Sequence, residues 1–583
     1  MKNRLLLPPY IYRSTMLSVS KINPDKHLYV SALLAATITI ALLLIDFCFI
    51  HIHIENNDLL ANIFFSGLIY KPFGEVYYRD YFLIGPLLAN LYSCYPSIHW
   101  LIILQHGATA TAVFLLLFSI SYYVFVKQFP VLLALILLLA ISVILNINLV
   151  NFNHNRTAFL VCASGITGYY VFRHHVKKRY LLLSSCLLWF TIGVLFRLEA
   201  SIAILAMLCM FLLLIYKFNV LRTTKGLLPF SMPVFALLLY GLIHILYDKQ
   251  LYYALEPDVE YEILDRNNVK PLSAMTTTRD SARYIAIQNW MLSDLESTPV
   301  SYMRTLINKP NNLFHRFFFF IKVAPNAEGS SIIKNIIAFA KTQWQVGLFC
   351  FILLILIMFY THGAATYIAI LFFIGGCTIA MSSGIVKVVP RVIEPIMAIV
   401  CIVLSLFFIH HYNILRKPIR IINISFIIFS VFLSASLVKQ TIVQSRQADK
   451  IEAENQAYLN KINSITNKTL IVSMANFTFM QMPLLHSTNL FNGKKIVPIQ
   501  LGQYADSKEF KEIITSMTGC NPYNFICRFE FLAAHKNQVL IIAEEGNLAF
   551  FKYYLKAMYN FDFRYSEINP EYRYGDISMY ELN

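Results

Sequence analysis

Charge is what this sequence has least of. Only 14% of its 583 residues are Asp, Glu, Lys or Arg, against about 25% in an ordinary soluble domain. Hydrophobic residues make up 57%, too many for a chain that keeps its whole surface in water. Several motifs are also missing. No glycine-rich loop ends in Lys-Ser/Thr, so an ATP-driven pump is not indicated. HExxH, GxSxG and a paired CxxC are absent, which removes the usual zinc-protease, hydrolase and zinc-ribbon readings. No internal repeat or low-complexity segment is visible. The first apolar run has no small-residue cleavage site, so it reads as a retained span rather than a signal peptide.

What is present is a series of apolar runs near the roughly 20 residues that cross a bilayer core. They fall at about 28–50, 99–126, 129–150, 157–172, 180–196, 199–218, 227–247, 346–361, 365–383, 390–410 and 419–438. The expected fold is a polytopic α-helical membrane protein of about eleven spans. Mean hydropathy of +0.58 agrees with this. The net charge of +16 matters less than its distribution. Its basic residues belong mostly to loops and the polar tail, so nucleic acid is not indicated as a partner. Lys2, Arg4, Arg13, Lys21 and Lys26 put the N-terminus in the cytoplasm by the positive-inside rule. Alternation then puts "RHHVKKR" from Arg173, "YKFNVLRTTK" from Tyr216 and "LRKPIR" from Leu415 on the same side.

Three polar regions fall on the opposite side: about 51–98, about 248–345, and the tail from about 439. A membrane part over 1–438 and a soluble extracytoplasmic domain over 439–583 are therefore expected. The tail holds two strand-like runs, "TLIVSMA" and "QVLIIAEE", and a helix-like "GNLAFFKYYLKAMY", so it reads as a small α/β domain. Eight of the ten cysteines are scattered through the hydrophobic part, where Cys is usually a small core residue. Cys520 and Cys527 lie in the tail and would pair if it faces an oxidising compartment. "FHRFFFFIKV" has the composition of an interfacial helix.

Ionisable residues collect at the outer membrane face. Asp46 lies late in the first span. Glu55, Asp58, Glu75, Arg79 and Asp80 lie in the first outer loop. Asn153, His154, Asn155 and Arg156 form a short outer loop, Arg197 and Glu199 interrupt "LFRLEAS", and Lys387, Arg391 and Glu394 lie in "GIVKVVPRVIEP". A snorkelling anchor explains any one of them. A shared site explains the set better. Carboxylates beside arginines at a membrane surface suit transfer from a lipid-phosphate donor. The carboxylate takes the proton of an attacking hydroxyl, and arginines or a divalent metal stabilise the departing phosphate. Arg156, Arg197 and Arg391 are the candidate phosphate ligands. Glu199, His154, Glu394 and Lys387 are candidate supporting residues. Charges in the second outer loop, such as Arg279, Asp280 and Arg283, would contact the acceptor or form a solvated helix face, the second being the simpler reading.

The stretch "HIHIENND", from His51 to Asp58, alternates in a way that puts His51, His53 and Glu55 on one face of an extended chain. Zinc could use that face. No further ligand cluster lies nearby, so polar anchors are the simpler reading of the two histidines. Glu55 and Asp58 stand at helical i, i+3 spacing, and "YYRD" and "GPL" follow about twenty residues later.

This arrangement resembles the first periplasmic loop of the GT-C superfamily of polyprenyl-phosphate-sugar-dependent glycosyltransferases. Members have an acidic residue just after the first span, then "G…YRD…GPL" before the second. "LFRLEAS" is similar to the Arg-Pro-Glu type turn found in many of them. The resemblance implies a membrane enzyme that moves a sugar from a polyprenyl phosphate carrier to a glycan, lipid or protein acceptor. It also implies an active site on the periplasmic face of a bacterial inner membrane, in envelope polysaccharide or O-antigen modification. Many relatives have Asp-Glu or His-Asp at the acidic position, whereas this chain has Asn57-Asp58. Asp58 and Glu55 thus compete for the role of base. Asp58 directly precedes "LLANIFFSGL", which favours it and also makes a helix N-cap its plainer role. Asp80 would position the acceptor or a metal, or simply pair with Arg79 in a turn. An O-antigen ligase or polymerase is the nearest alternative. A transporter or flippase of lipid-linked sugars is the alternative from another class, although transporters place polar residues near the midplane and often show inverted repeats.

Overall fold

The computed structural model describes residues 24–50, 53–55, 84–175, 180–196, 270–288, 294, 298–306, 329–360, 390–412, 420–473, 481–483, 491–497 and 508–583. The bundle contains α1 (Pro24–Ile45), which passes into a π-helical turn over Asp46–Ile50, and the short strand β1 (His53–Glu55). It continues with α2 (Gly85–Cys94), α3 (Trp100–Val126), α4 (Val131–Val150), α5 (His154–His175) and α6 (Tyr180–Phe196). Two short helices, α7 (Thr278–Gln288) and α8 (Val300–Leu306), precede α9 (Gly329–Tyr360), α10 (Pro390–His411) and α11 (Arg420–Ser464).

Among the described residues, five helices are long and apolar enough to cross a membrane: Lys26–Ile50, Trp100–Val126, Val131–Val150, Ile393–His411 and Asn423–Ser464. Tyr180–Phe196 and Gln343–Ile357 are shorter apolar helices. The expected spans at 199–218, 227–247 and 365–383 lie outside the described residues, as does "FHRFFFFIKV". Small residues let the helices approach closely. A Cβ on Gly165 of α5 would lie 2.7 Å from the Cys186 carbonyl oxygen and the Phe190 amide nitrogen of α6.

Contacts at the two ends fix the helix directions. At one end His27 of α1 stacks on Phe125 of α3 at 5.9 Å. There Tyr123 and His410 are hydrogen-bonded at 2.6 Å, and Phe129 packs on Tyr412 at 4.9 Å. At the other end Asn146 of α4 meets Asp46, and Arg156 of α5 meets Glu394 of α10. Helices α1, α3, α4 and α5 thus alternate in direction, whereas α9 and α10 run the same way, Gln343 meeting Glu394 and Cys350 meeting Cys401.

Two expected boundaries shift. Helix α5 begins at His154 rather than 157, because Asn153 caps it: its Oδ1 accepts from the Arg156 amide at 2.9 Å. Helix α11 does not end near 438 but continues to Ser464. The stretch "QADKIEAENQAYLNKINS" is polar, yet it holds no Gly or Pro and is rich in helix-favouring Ala, Glu, Gln and Lys. At about 1.5 Å per residue, its 45 residues far outrun a bilayer core, so the helix carries the chain from the bundle into the tail.

The tail is a small α/β unit. Its strands are β2 (Leu470–Ser473), β3 (Gln481–Pro483), β4 (Lys495–Ile496), β5 (Val539–Glu544), β6 (Tyr565–Glu567) and β7 (Ile577–Leu582). Its helices are α12 (Lys508–Thr518), α13 (Phe525–Ala534) and α14 (Glu545–Tyr559). Five strands form a sheet in the order β4-β2-β5-β7-β6. Strands β4, β2 and β5 run parallel, and β7 pairs antiparallel with both β5 and β6. The two apolar runs singled out in the sequence are β2 and β5, and Cys520 is disulfide-bonded to Cys527.

The three regions assigned to one side of the membrane are joined. Strand β1 pairs antiparallel with β3, Ile54 opposite Met482. Ala282 and Ala286 of α7 are fully buried in the same apolar core as Val472, Phe529 and Tyr554 of the tail. Helix α7 is therefore not a solvated face throughout: Arg279 donates to the Met558 carbonyl at 3.0 Å, while Asp280 and Arg283 pair within the helix at 3.5 Å.

Candidate functional site

The polar end of the bundle gathers side chains from seven helices. Asn153, His154, Asn155 and Arg156 are all buried at the start of α5. The Arg156 guanidinium donates from Nη2 to Glu394 Oε2 at 2.7 Å and from Nη1 to the Asn151 carbonyl. Its side chain is 3% exposed and that of Glu394 12%. Gln343 of α9 donates to Glu394 Oε1 at 3.4 Å, and Gln345 donates to Ser436 of α11 at 2.9 Å. In the same region α1 contributes Asp46, whose Oδ1 accepts from Asn146 Nδ2 at 2.8 Å. His106 of α3 sits between the rings of Phe47 and Phe152, at 5.7 and 5.1 Å.

The electrostatics follow from the helix ends. A cation in the first turn of α5 faces the positive end of that helix dipole, and the Glu394 carboxylate offsets it. Glu394 itself lies in the first turns of α10, where the dipole favours an anion. A buried ion pair of this kind costs desolvation of both charges and keeps its stability only while both partners are present. Pro395 follows Glu394 and has no N–H to donate to the residue 391 carbonyl, so the usual i to i−4 bond is missing there.

Of the residues nominated from sequence, the structure brings Arg156 and Glu394 together, with His154 in the same turn as Arg156. Arg391 lies three positions before Glu394 in α10. Glu55 lies in β1, beside His53, in the extended conformation expected of that stretch. Asp58, Asp80, Arg197, Glu199, Lys387 and His51 lie outside the described residues. Among the described residues no three of His, Cys, Asp and Glu are grouped to hold a metal ion. "GPL" opens α2, with Pro86 in its first turn.

A second buried polar cluster, which no sequence motif marks, centres on Asp294. Asp294, fully buried, accepts on Oδ2 from the hydroxyls of Tyr554 at 2.7 Å and Tyr559 at 2.5 Å. Burial and the Asp294 charge push the Tyr554 hydroxyl well above its ordinary range. Arg528, also fully buried, donates to the Pro522 carbonyl, and burial lowers its pKa to about 10 against the opposing pull of Asp294. This cluster clamps Asp294, from the polar region before α9, to the tail. It is enclosed by Phe525, Phe529 and Phe551, so it is a structural joint rather than a place for a ligand.

No family model, curated protein or solved structure matches this chain.

Proposed function

We propose that this chain is a GT-C-like membrane glycosyltransferase of about eleven spans that moves a sugar from a polyprenyl-phosphate donor to a glycan, lipid or protein acceptor outside the cytoplasm. The observation that carries it is the convergence at one bundle end. The buried Arg156–Glu394 pair, Asp46 with Asn146, and Gln343 come from separate helices. They lie at the end where β1 leads into the loop that holds Asp58 and "YYRD". In this reading Asp58 or Glu55 takes the proton of the acceptor hydroxyl as the sugar carbon changes partner. The phosphate leaves with its charge spread over arginines. Glu394 holds the Arg156 fork in place, and Arg197, Arg391 and Lys387 supply the remaining positive charge. A divalent metal would have to be held by residues of the first outer loop, such as Asp58 and Asp80. The tail grips both outer loops, through the pairing of β3 with β1 and through the Tyr554 and Tyr559 hydroxyls on Asp294. The polar groups stand at helix ends rather than at the midplane, which disfavours a transporter.

The test is Asp58→Asn in membranes supplied with a labelled polyprenyl-phosphate sugar. A drop in transfer of about 100-fold or more is expected for loss of a general base, with lipid binding retained. Transfer at the parent rate removes Asp58 as the base. The arginine-centred pair also suits an O-antigen ligase or polymerase. In that case Asp58→Asn leaves transfer intact, and the substrate is a polymer on pyrophosphate rather than a single sugar.

A further inference from the structure

Asp46 is part of the polar end of the bundle, but the reading above gives it no chemical step. It is fully buried, and its one hydrogen bond runs from Asn146 Nδ2 to its Oδ1 at 2.8 Å. Two oxygens of this pair, Asp46 Oδ2 and Asn146 Oδ1, are buried without a hydrogen-bond partner. Both are acceptors when Asp46 is ionised, so neither can satisfy the other.

No described residue supplies a countercharge. From α3 the nearest titratable group is His106, and neither of its buried ring nitrogens has a hydrogen-bond partner. An imidazolium there would bury two unsatisfied donors against Phe47 and Phe152. Helix α4 carries no charged residue over Val131–Val150. On α11, which packs against the π-helical turn, Lys439 and Arg446 are exposed. An isolated carboxylate in such a place neutralises rather than stays charged.

We propose that Asp46 and Asn146 together bind one proton, carried on Asp46 Oδ2 and donated to Asn146 Oδ1, so that acid and amide form a closed, neutral pair. A single proton then cancels the charge and satisfies both oxygens. It also sets the chemistry of Asp46: the group is a hydrogen-bond donor and not a base. The pair ties the last turn of α1 to the last turns of α4. Its π-helical turn is a device often found at functional positions, and it leads into β1 and the loop of Asp58. The occupied proton site pins the point where the chain leaves the bundle. It does not rest on glycosyl transfer and would stand if this chain moved no sugar.

Infrared spectroscopy of the purified full chain near neutral pH tests it. The parent should show the carbonyl stretch of a protonated carboxylic acid that Asp46→Asn removes. Asn146→Gln should shift that band by changing its hydrogen bond. If Asp46→Asn fails to accumulate as folded protein, isotope-labelled aspartate in the parent and in N146Q gives the same readout. Parent and Asp46→Asn spectra that coincide in the protonated-acid region would overturn the proposal. So would loss of only an ionised carboxylate band, or a labelled acid band indifferent to N146Q.

Discussion

Arg156 in the helix bundle and Arg528 in the tail are both buried, and each has an acid nearby. Their surroundings differ. Arg528 is fully enclosed by an apolar core, with Asp294 holding two tyrosine hydroxyls beside it. Arg156 stands where helices end, paired with a Glu394 side chain that keeps 12% of its surface exposed. Beside it lie Gln343 and a helix turn made of Asn153, His154 and Asn155. Burial of a charge therefore does not by itself mark a functional place. What separates the two is whether the charge is sealed within one core or borders a polar surface at the membrane end.

The sharpest way to break this contrast is to remove one charge from the bundle. Arg156→Met strands Glu394 in a largely buried position, and a loss of about 3–5 kcal/mol is expected. Thermal unfolding and folded yield in detergent should show it. Adding Glu394→Gln should restore most of the loss, because the uncompensated charge is then gone.

A smaller effect is expected at the joint in the tail. Asp294→Ala leaves the Tyr554 and Tyr559 hydroxyls without their acceptor, at about 2–3 kcal/mol. Hydrogen exchange should rise in Thr278–Gln288 and in Glu545–Tyr559 together, while the polar end of the bundle stays protected. Protection that falls in the bundle instead would erase the distinction between joint and site.

Replacing Cys520 and Cys527 by Ser opens a short loop, and about 2 kcal/mol is expected from the chain-entropy account. A melting shift confined to the tail is the expected readout. Smallest is the surface pair of Glu567 and Arg573. Hydrogen bonds from Arg573 pull the Glu567 carboxyl from its ordinary 4.5 down to about 2. A depressed carboxylate stabilises the fold above its ordinary value, and that contribution is lost as pH falls from about 4.5 toward 2. Arg573 is largely exposed, so the effect is small. Glu567→Gln should flatten the acid limb of the stability profile there without moving the midpoint near neutral pH.

Much of this was legible beforehand, for physical reasons. Periodicity and length gave the spans that the structure describes, because an apolar run of helix length has few other fates. Strands β2 and β5 were readable as short apolar runs bounded by polar residues. Placing basic loops on one side also put Arg156 and Glu394 at the same end, where they meet. Three features were not readable. Asn146 is uncharged and sits in an apolar helix, so nothing in the sequence pairs it with Asp46, 100 positions away. Asp294 lies in a polar loop whose role appears only when Tyr554 and Tyr559 close over it. The passage of α11 through residue 438 is hidden in the sequence by a sharp fall in hydropathy that is not a change in structure. Helix propensity continued across it.

The account rests on the polar end of the bundle being where lipid-linked sugar reacts. The most direct measurement is transfer from labelled polyprenyl-phosphate sugar by the Arg156→Met, Glu394→Gln double variant, in membranes that hold it folded, with Asp294→Asn alongside. Loss of transfer in the double variant, with transfer largely kept in Asp294→Asn, is the predicted result. Transfer at the parent rate by the folded double variant would contradict it.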